Sequence, residues 1–240
     1  MALTLLGIAT STTLTLSSLV PHSAPAIAID VGHSLQSSGA TSARGRAEFE
    51  FNRDLAQAVL QAISTRKIKA FEIGADGSSV DPENRPVEAS NRGASFFLSI
   101  HHDSIQPQYL QDWTWHGSDQ HYSDRFAGFS LFVSRKNKQF PASLKCAAAI
   151  GAALKKAGLH ASGHHAEAVE GERRPWADQA NGVYYHDNLI VLKNAKMPAV
   201  LLEAGVIVNR DEEMRLSDPA MHRKIATAVS AGLGSCGVLQ

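Results

Sequence analysis

The chain has 240 residues, 44% of them hydrophobic and 19% charged, with 23 basic side chains against 23 acidic ones. That length suits one domain with a real core, and the composition excludes collagen-like, disordered and membrane-channel classes. A formal net charge of zero supplies no overall basic field to hold phosphates, so nucleic acid is not an expected partner. The unusual count is histidine, 11 residues beside 2 cysteines and 4 methionines. Imidazole is the commonest metal ligand and a frequent general base, so the excess points to a site.

Residues 1–20 are apolar and hydroxyl-rich, and Pro21 and small residues follow them. Thr and Ser interrupt this stretch too often for a membrane span, and no Lys or Arg precedes Arg44. Residues 1–25 therefore read as a secretory signal or a disordered N-terminus, ahead of a folded domain over 26–240. Periplasmic or secreted localisation is expected, without stable membrane insertion.

AIAIDV over 26–31 is apolar and β-branched and predicts a strand running into Gly32, His33 and a Ser- and Gly-rich loop. Phe51, Leu55, Val59 and Ile63 recur every four residues and predict a helix over 50–65. A second strand is predicted over 67–73, then a short helix over 87–94. FFLSIHH, 96–102, is an almost continuous apolar run, the mark of a strand buried on both faces. A fourth strand is predicted over 129–134, and an alanine-rich helix runs from Pro141 to the stop at Gly158. PAVLLEAG, 198–205, predicts the last buried strand. Asn209 is placed to cap a short acidic turn, and Asp218 with Pro219 opens a final helix bearing Ile225, Val229 and Leu233. This alternation predicts a single α/β domain, a twisted, mixed but mostly parallel sheet flanked by helices.

Two polar stretches, 103–127 and 160–186, break the alternation and have no clear period. Ordered loops of that length are usually functional, which places both near the substrate. Cys146 and Cys236, 90 residues apart without a spacing motif, read more often as two thiols than as one disulfide, and the sequence leaves both open.

His33, His101 and Glu203 each fall at or near the end of a predicted buried strand, where ligands bind in open α/β sheets. Glu50, at the start of the first helix, is placed to reach the same point. Two imidazoles and one carboxylate form a three-ligand set that leaves an open position on zinc, the arrangement of a catalytic site. A further carboxylate is then needed to accept a proton from water, and Glu203 is suitably placed.

IAIDVGHS, GRAEFEFNRDLAQAV, EASNRGASFFLSIHHDS and MPAVLLEAGVIVNRDEE occur in that order. The series resembles the zinc-dependent N-acetylmuramoyl-L-alanine amidases over about residues 26–233. The resemblance implies the α/β amidase fold for 26–240, a Zn2+ cofactor and peptidoglycan as partner. The bond cleaved would be the amide between the lactyl group of N-acetylmuramic acid and the first alanine of the stem peptide. The family pattern carries zinc ligation over to His33, Glu50 and His101 and the catalytic base to Glu203. Glu48 is the alternative to Glu50; the family glutamate lies five residues before a helix-core leucine, and Leu55 sets that offset on Glu50. His102 competes with His101, but neighbouring strand residues face opposite sides. Val31 stands where the family has proline, and Val206 where it has an aromatic residue.

The stretch 160–186 carries His164, His165, His186, Glu167, Glu170, Glu172, Arg173 and Arg174, and is expected to border the cleft. Arg173 and Arg174 are the candidates to meet stem-peptide carboxylates. Trp113, Trp115 and Trp176 in the two stretches suit either sugar stacking or loop packing. The competing functions are a zinc peptidase acting on another amide and a non-catalytic wall-binding protein of the same fold. No regulatory protein can be named from the sequence.

Overall fold

The computed structural model describes residues 26–66 and 68–239. The expected signal at 1–25 lies outside the described residues.

A seven-stranded sheet forms the centre. Its order is β2 (Lys69–Ile73), β1 (Ala26–Val31), β3 (Ala94–Asp103), β9 (Ala199–Val206), β6 (Ser130–Val133), β8 (Val183–Tyr185) and β7 (Trp176–Asp178). β2, β1, β3 and β9 run parallel, β6 runs antiparallel to β9, and β8 pairs parallel with β6. The expected mixed, mostly parallel sheet is the one found.

Period-two alternation divides the sheet's side chains between two cores, so both faces are dry. On one face Ile27, Ile29, Phe96, Leu98, Val200 and Leu202 pack against helices α1 (Glu48–Ser64), α3 (Phe140–Lys156) and α6 (Pro219–Cys236). On the other, Ala28, Phe97, Phe132 and Leu201 meet α2 (Asn84–Asn91) and α4 (Ile190–Lys193) through Ala89, Val191 and Leu192. Asn209 caps α5 (Arg210–Leu216) by accepting from the amides of Asp211 and Glu212, and Asp218 caps α6 by accepting from Ala220. Both caps are as the sequence implies.

The first helix starts two residues earlier than its apolar period suggests, at Glu48. Its N-cap, Ala47, offers no side-chain oxygen; instead the carbonyls of Ser38 and Ala40 take the amides of Phe49 and Glu48 at 3.0 and 2.9 Å. The loop before α1 thus satisfies helix-end donors that a capping side chain would otherwise meet.

Both polar stretches contain strands, contrary to their reading as aperiodic loops. Within 103–127, β4 (Gln111–Trp115) and β5 (Ser118–Tyr122) form an antiparallel hairpin turned by His116 and Gly117, with φ 48° and 81°. Two central residues at positive φ are what a type I′ hairpin turn requires. Within 160–186, β8 and β7 extend the main sheet. Cys146 of α3 and Cys236 of α6 are joined as a disulfide, so they are not two thiols. The bridge lies on the sheet face that carries α1. Among the described residues no helix is long and apolar enough to cross a membrane.

Candidate metal centre

The parallel strands β1, β3 and β9 end together, and their ends position the candidate site. His33 follows β1 with φ 68°, a left-handed conformation uncommon for a residue with a side chain. It turns the imidazole back over the sheet end. His101 is near the end of β3 and is in register with Glu203 on β9, so the two share one face of adjacent strands.

Glu48 bridges the two imidazoles. Its Oε2 lies 3.0 Å from His33 Nε2 and its Oε1 lies 3.0 Å from His101 Nδ1. Asn52 Nδ2 donates to Oε1 at 3.1 Å, and the Ala40 amide donates to Oε2 at 3.0 Å. Gly39, at φ 78°, passes so close that a Cβ there would fall 2.4 Å from Glu48 Oε2. Burial alone pushes the Glu48 carboxyl up, but hydrogen bonds to His101 and His33 outweigh it and hold the group below the usual carboxylate range.

The glutamate at the centre is therefore Glu48, and the expectation for Glu50 is corrected. Glu50 points away, with its carboxyl half exposed and paired at 3.1 Å to the Nε of Arg46, which precedes the helix. Helix geometry explains the difference. At about 100° per residue, Glu48 lies seven positions before Leu55 and within about 20° of its direction, whereas Glu50 is rotated from it by about 140°.

His102 faces the opposite side from His101, as strand alternation demands. Its Nδ1 meets Asn52 Oδ1 at 2.8 Å, and burial pushes its imidazole down to about 3. One ligand atom from each of His33, Glu48 and His101 lies within 4.8 Å of the others. Two imidazole nitrogens converging on one carboxylate are a donor set suited to a zinc-like divalent ion.

Glu203 stands beside this set. Its Oε2 is enclosed and has no hydrogen-bond partner. Desolvation first, then the charges of Asp103 and Glu48, push its carboxyl well above the usual carboxylate range. Such a group is poised to hold or release a proton.

His33, His101 and Glu203 line a cavity of about 580 Å³ together with Asp103, His165, Glu172, Arg174 and His186. The stretch 160–186 thus borders the cleft. Arg174 lines it, but Arg173 is not among the lining residues; its guanidinium donates to the Ala168 carbonyl. Trp113 stacks on Trp115 in the hairpin, with ring centroids 5.3 Å apart, and its Nε1 donates to the Ala43 carbonyl. Trp176 stacks on Tyr184. None of the three tryptophans lines the cleft.

Asp103, His164 and His165 form a second convergent group that the sequence analysis did not assemble. Asp103 follows His101 by two positions in β3, on the same face. The strand period was the signal that could have found it.

The profile of the family described as N-acetylmuramoyl-L-alanine amidase matches residues 27–235. Among solved structures, the catalytic domain of the N-acetylmuramoyl-L-alanine amidase CwlV from Bacillus (Paenibacillus) polymyxa is similar at 25% identity and TM-score 0.65, with 87% of this chain and 96% of that one covered. The N-acetylmuramoyl-L-alanine amidase of Clostridium difficile 630 is similar at 19% identity and TM-score 0.68, covering 88% and 96%. The N-acetylmuramyl-L-alanine amidase of Mycobacterium smegmatis shares the fold at 19% identity and TM-score 0.69, covering 90% and 96%. No curated protein sequence matches the chain.

Proposed function

The chain belongs to the N-acetylmuramoyl-L-alanine amidase family, and from that premise we propose that it hydrolyses the amide between the lactyl group of N-acetylmuramic acid and L-alanine in peptidoglycan, with zinc held by His33, Glu48 and His101. The observation that carries the reading is the buried, partnerless Oε2 of Glu203, set in the cleft beside the bridged pair of imidazoles.

Zinc, when bound, supplies a Lewis acid and lowers the pKa of water towards neutrality. The protein's own groups do the rest. Glu203 takes the proton of the attacking water and returns it to the leaving nitrogen of L-alanine, so one carboxyl serves as base and then as acid. Asn52 and the Ala40 amide fix the Glu48 carboxylate where it would share an ion with the two imidazoles. Arg174, on the cleft wall, offers a fork to stem-peptide carboxylates. The Cys146–Cys236 disulfide suits an oxidising compartment, which favours a periplasmic or secreted enzyme.

Digestion of purified peptidoglycan by zinc-loaded protein tests the reading. Mass spectrometry is expected to find released stem peptides with a free L-alanine amino terminus. Fragments cut inside the stem would identify a peptidase, and wall binding without release would identify a non-catalytic module. Glu203→Gln is expected to retain zinc while losing about 10² to 10⁴ in rate.

A further inference from the structure

The second group lies one strand pleat beyond His101, and its geometry is that of a ligand set. Asp103 Oδ2 is 2.7 Å from His165 Nε2 and 3.2 Å from His164 Nε2. The two rings lie close, with centroids 3.9 Å apart. Both imidazoles therefore aim the same nitrogen at one carboxylate oxygen.

The opposite nitrogen of each ring is held by an oxygen. Ser162 Oγ lies 2.7 Å from His164 Nδ1, and Glu172 Oε2 lies 2.9 Å from His165 Nδ1. Glu172 is itself fixed by Gln106 Nε2, which donates to its Oε1 at 2.9 Å. This outer shell is the one that orients histidines on a metal, with a carboxylate or hydroxyl behind each ligating ring. A purely structural hydrogen-bonded cluster explains His165, whose two nitrogens are both partnered. His164 is less fully satisfied: its side chain is buried, and its Nε2 lies 3.2 Å from the same Asp103 Oδ2 that His165 already meets at 2.7 Å.

Two imidazole nitrogens crowded onto one carboxylate oxygen away from water are matched better by a cation that accepts all three donors than by shared protons. We propose that Asp103, His164 and His165 bind a second divalent metal ion of zinc's class, distinct from the one assigned to His33, Glu48 and His101. Two imidazoles and one carboxylate select an ion of that borderline class over calcium or magnesium, which favour all-oxygen shells. Asp103 and His165 both line the cleft, so an ion held there would border the cavity. The ion would tie the stretch 160–186 to β3, next to Glu203. Nothing in this assignment depends on the amidase reading.

Zinc stoichiometry after equilibrium dialysis against buffered free zinc tests it on the whole protein. The wild type is expected to hold two zinc ions per chain, and His33→Ala and His164→Ala one each. Glu172→Gln is expected to weaken the second equivalent by about 10- to 100-fold while leaving the first unchanged. Zinc-edge anomalous scattering from wild-type crystals locates the second ion even if a substituted protein fails to fold, and a peak among Asp103, His164 and His165 is expected. A wild type with a single zinc that His33→Ala removes, or a second anomalous peak elsewhere, would overturn the proposal. A single zinc located at Asp103, His164 and His165 would support it and contradict the assignment of the first site instead.

Discussion

Arg85 of α2 donates to the carbonyl oxygen of His33 and thereby holds the left-handed turn that presents the imidazole. The same guanidinium bonds Asp30 Oδ1 and the Ser79 carbonyl, each at 2.7 Å, and also reaches the Val31 carbonyl. One buried cation thus clamps the end of β1 and the residue after it.

Arg85→Ala would leave Asp30 as an uncompensated buried carboxylate, with an expected loss of about 3–5 kcal/mol of stability. Arg85→Lys keeps the charge but loses the planar fork, and is expected to fall between the two. Urea denaturation at neutral pH measures both. An alanine variant within about 0.5 kcal/mol of wild type would show that the clamp does not hold the turn.

Acid stability depends partly on His186, which lines the cleft. Desolvation, then the neighbouring Arg174 and His165, push its imidazole down to about 4, against weaker opposition from Asp187. An unfolded histidine titrates near about 6.5. The folded value lies below the unfolded one, so as pH falls through about 6.5 the unfolded chain takes up the proton first. Stability is therefore unaffected by this group above about 6.5 and is lost between about 6.5 and 4. His186→Gln is expected to flatten the acid-side decline by a fraction of about 1.4 kcal/mol per pH unit, since the side chain is partly solvated. Urea midpoints across that range provide the check, and parallel declines in the two proteins would refute it.

The disulfide joins α3 to α6 across 90 residues of chain. Its closure of so long a loop is expected to contribute about 2–5 kcal/mol. The Cys146→Ala, Cys236→Ala double variant should lose that stability yet keep its turnover when folded, because the bridge lies on the sheet face away from the cleft. An unchanged midpoint for thermal or urea unfolding would contradict the first part, and a lowered rate at full folding the second.

The strand-end residues were legible because buried parallel strands read as unbroken apolar runs, and FFLSIHH and PAVLLEAG deliver His101 and Glu203 to one sheet end. Glu48 was not, although a signal existed. Extending the stripe of Ile63, Val59 and Leu55 backwards reaches Asn52 and Glu48, the two polar residues that α1 buries. Glu50 shares the five-residue offset from Leu55 but not its direction around the helix. The hairpin escaped because β4 and β5 are short and largely exposed, so alternating Trp113 and Trp115 mark no buried core face. β7 and β8 have three residues each, too few for a period. The cysteine pairing depends on α3 lying beside α6, a tertiary fact without a local signature.

The most direct test of the account compares Glu48→Gln with Glu50→Gln in zinc content and in release of stem peptides bearing a free L-alanine amino terminus. Glu48→Gln replaces the carboxylate between His33 and His101 and is expected to lose both the zinc of that site and hydrolysis, whereas Glu50→Gln removes only an exposed pair with Arg46 and should retain both. Full zinc and undiminished release in Glu48→Gln, or their loss in Glu50→Gln, would contradict the site as described.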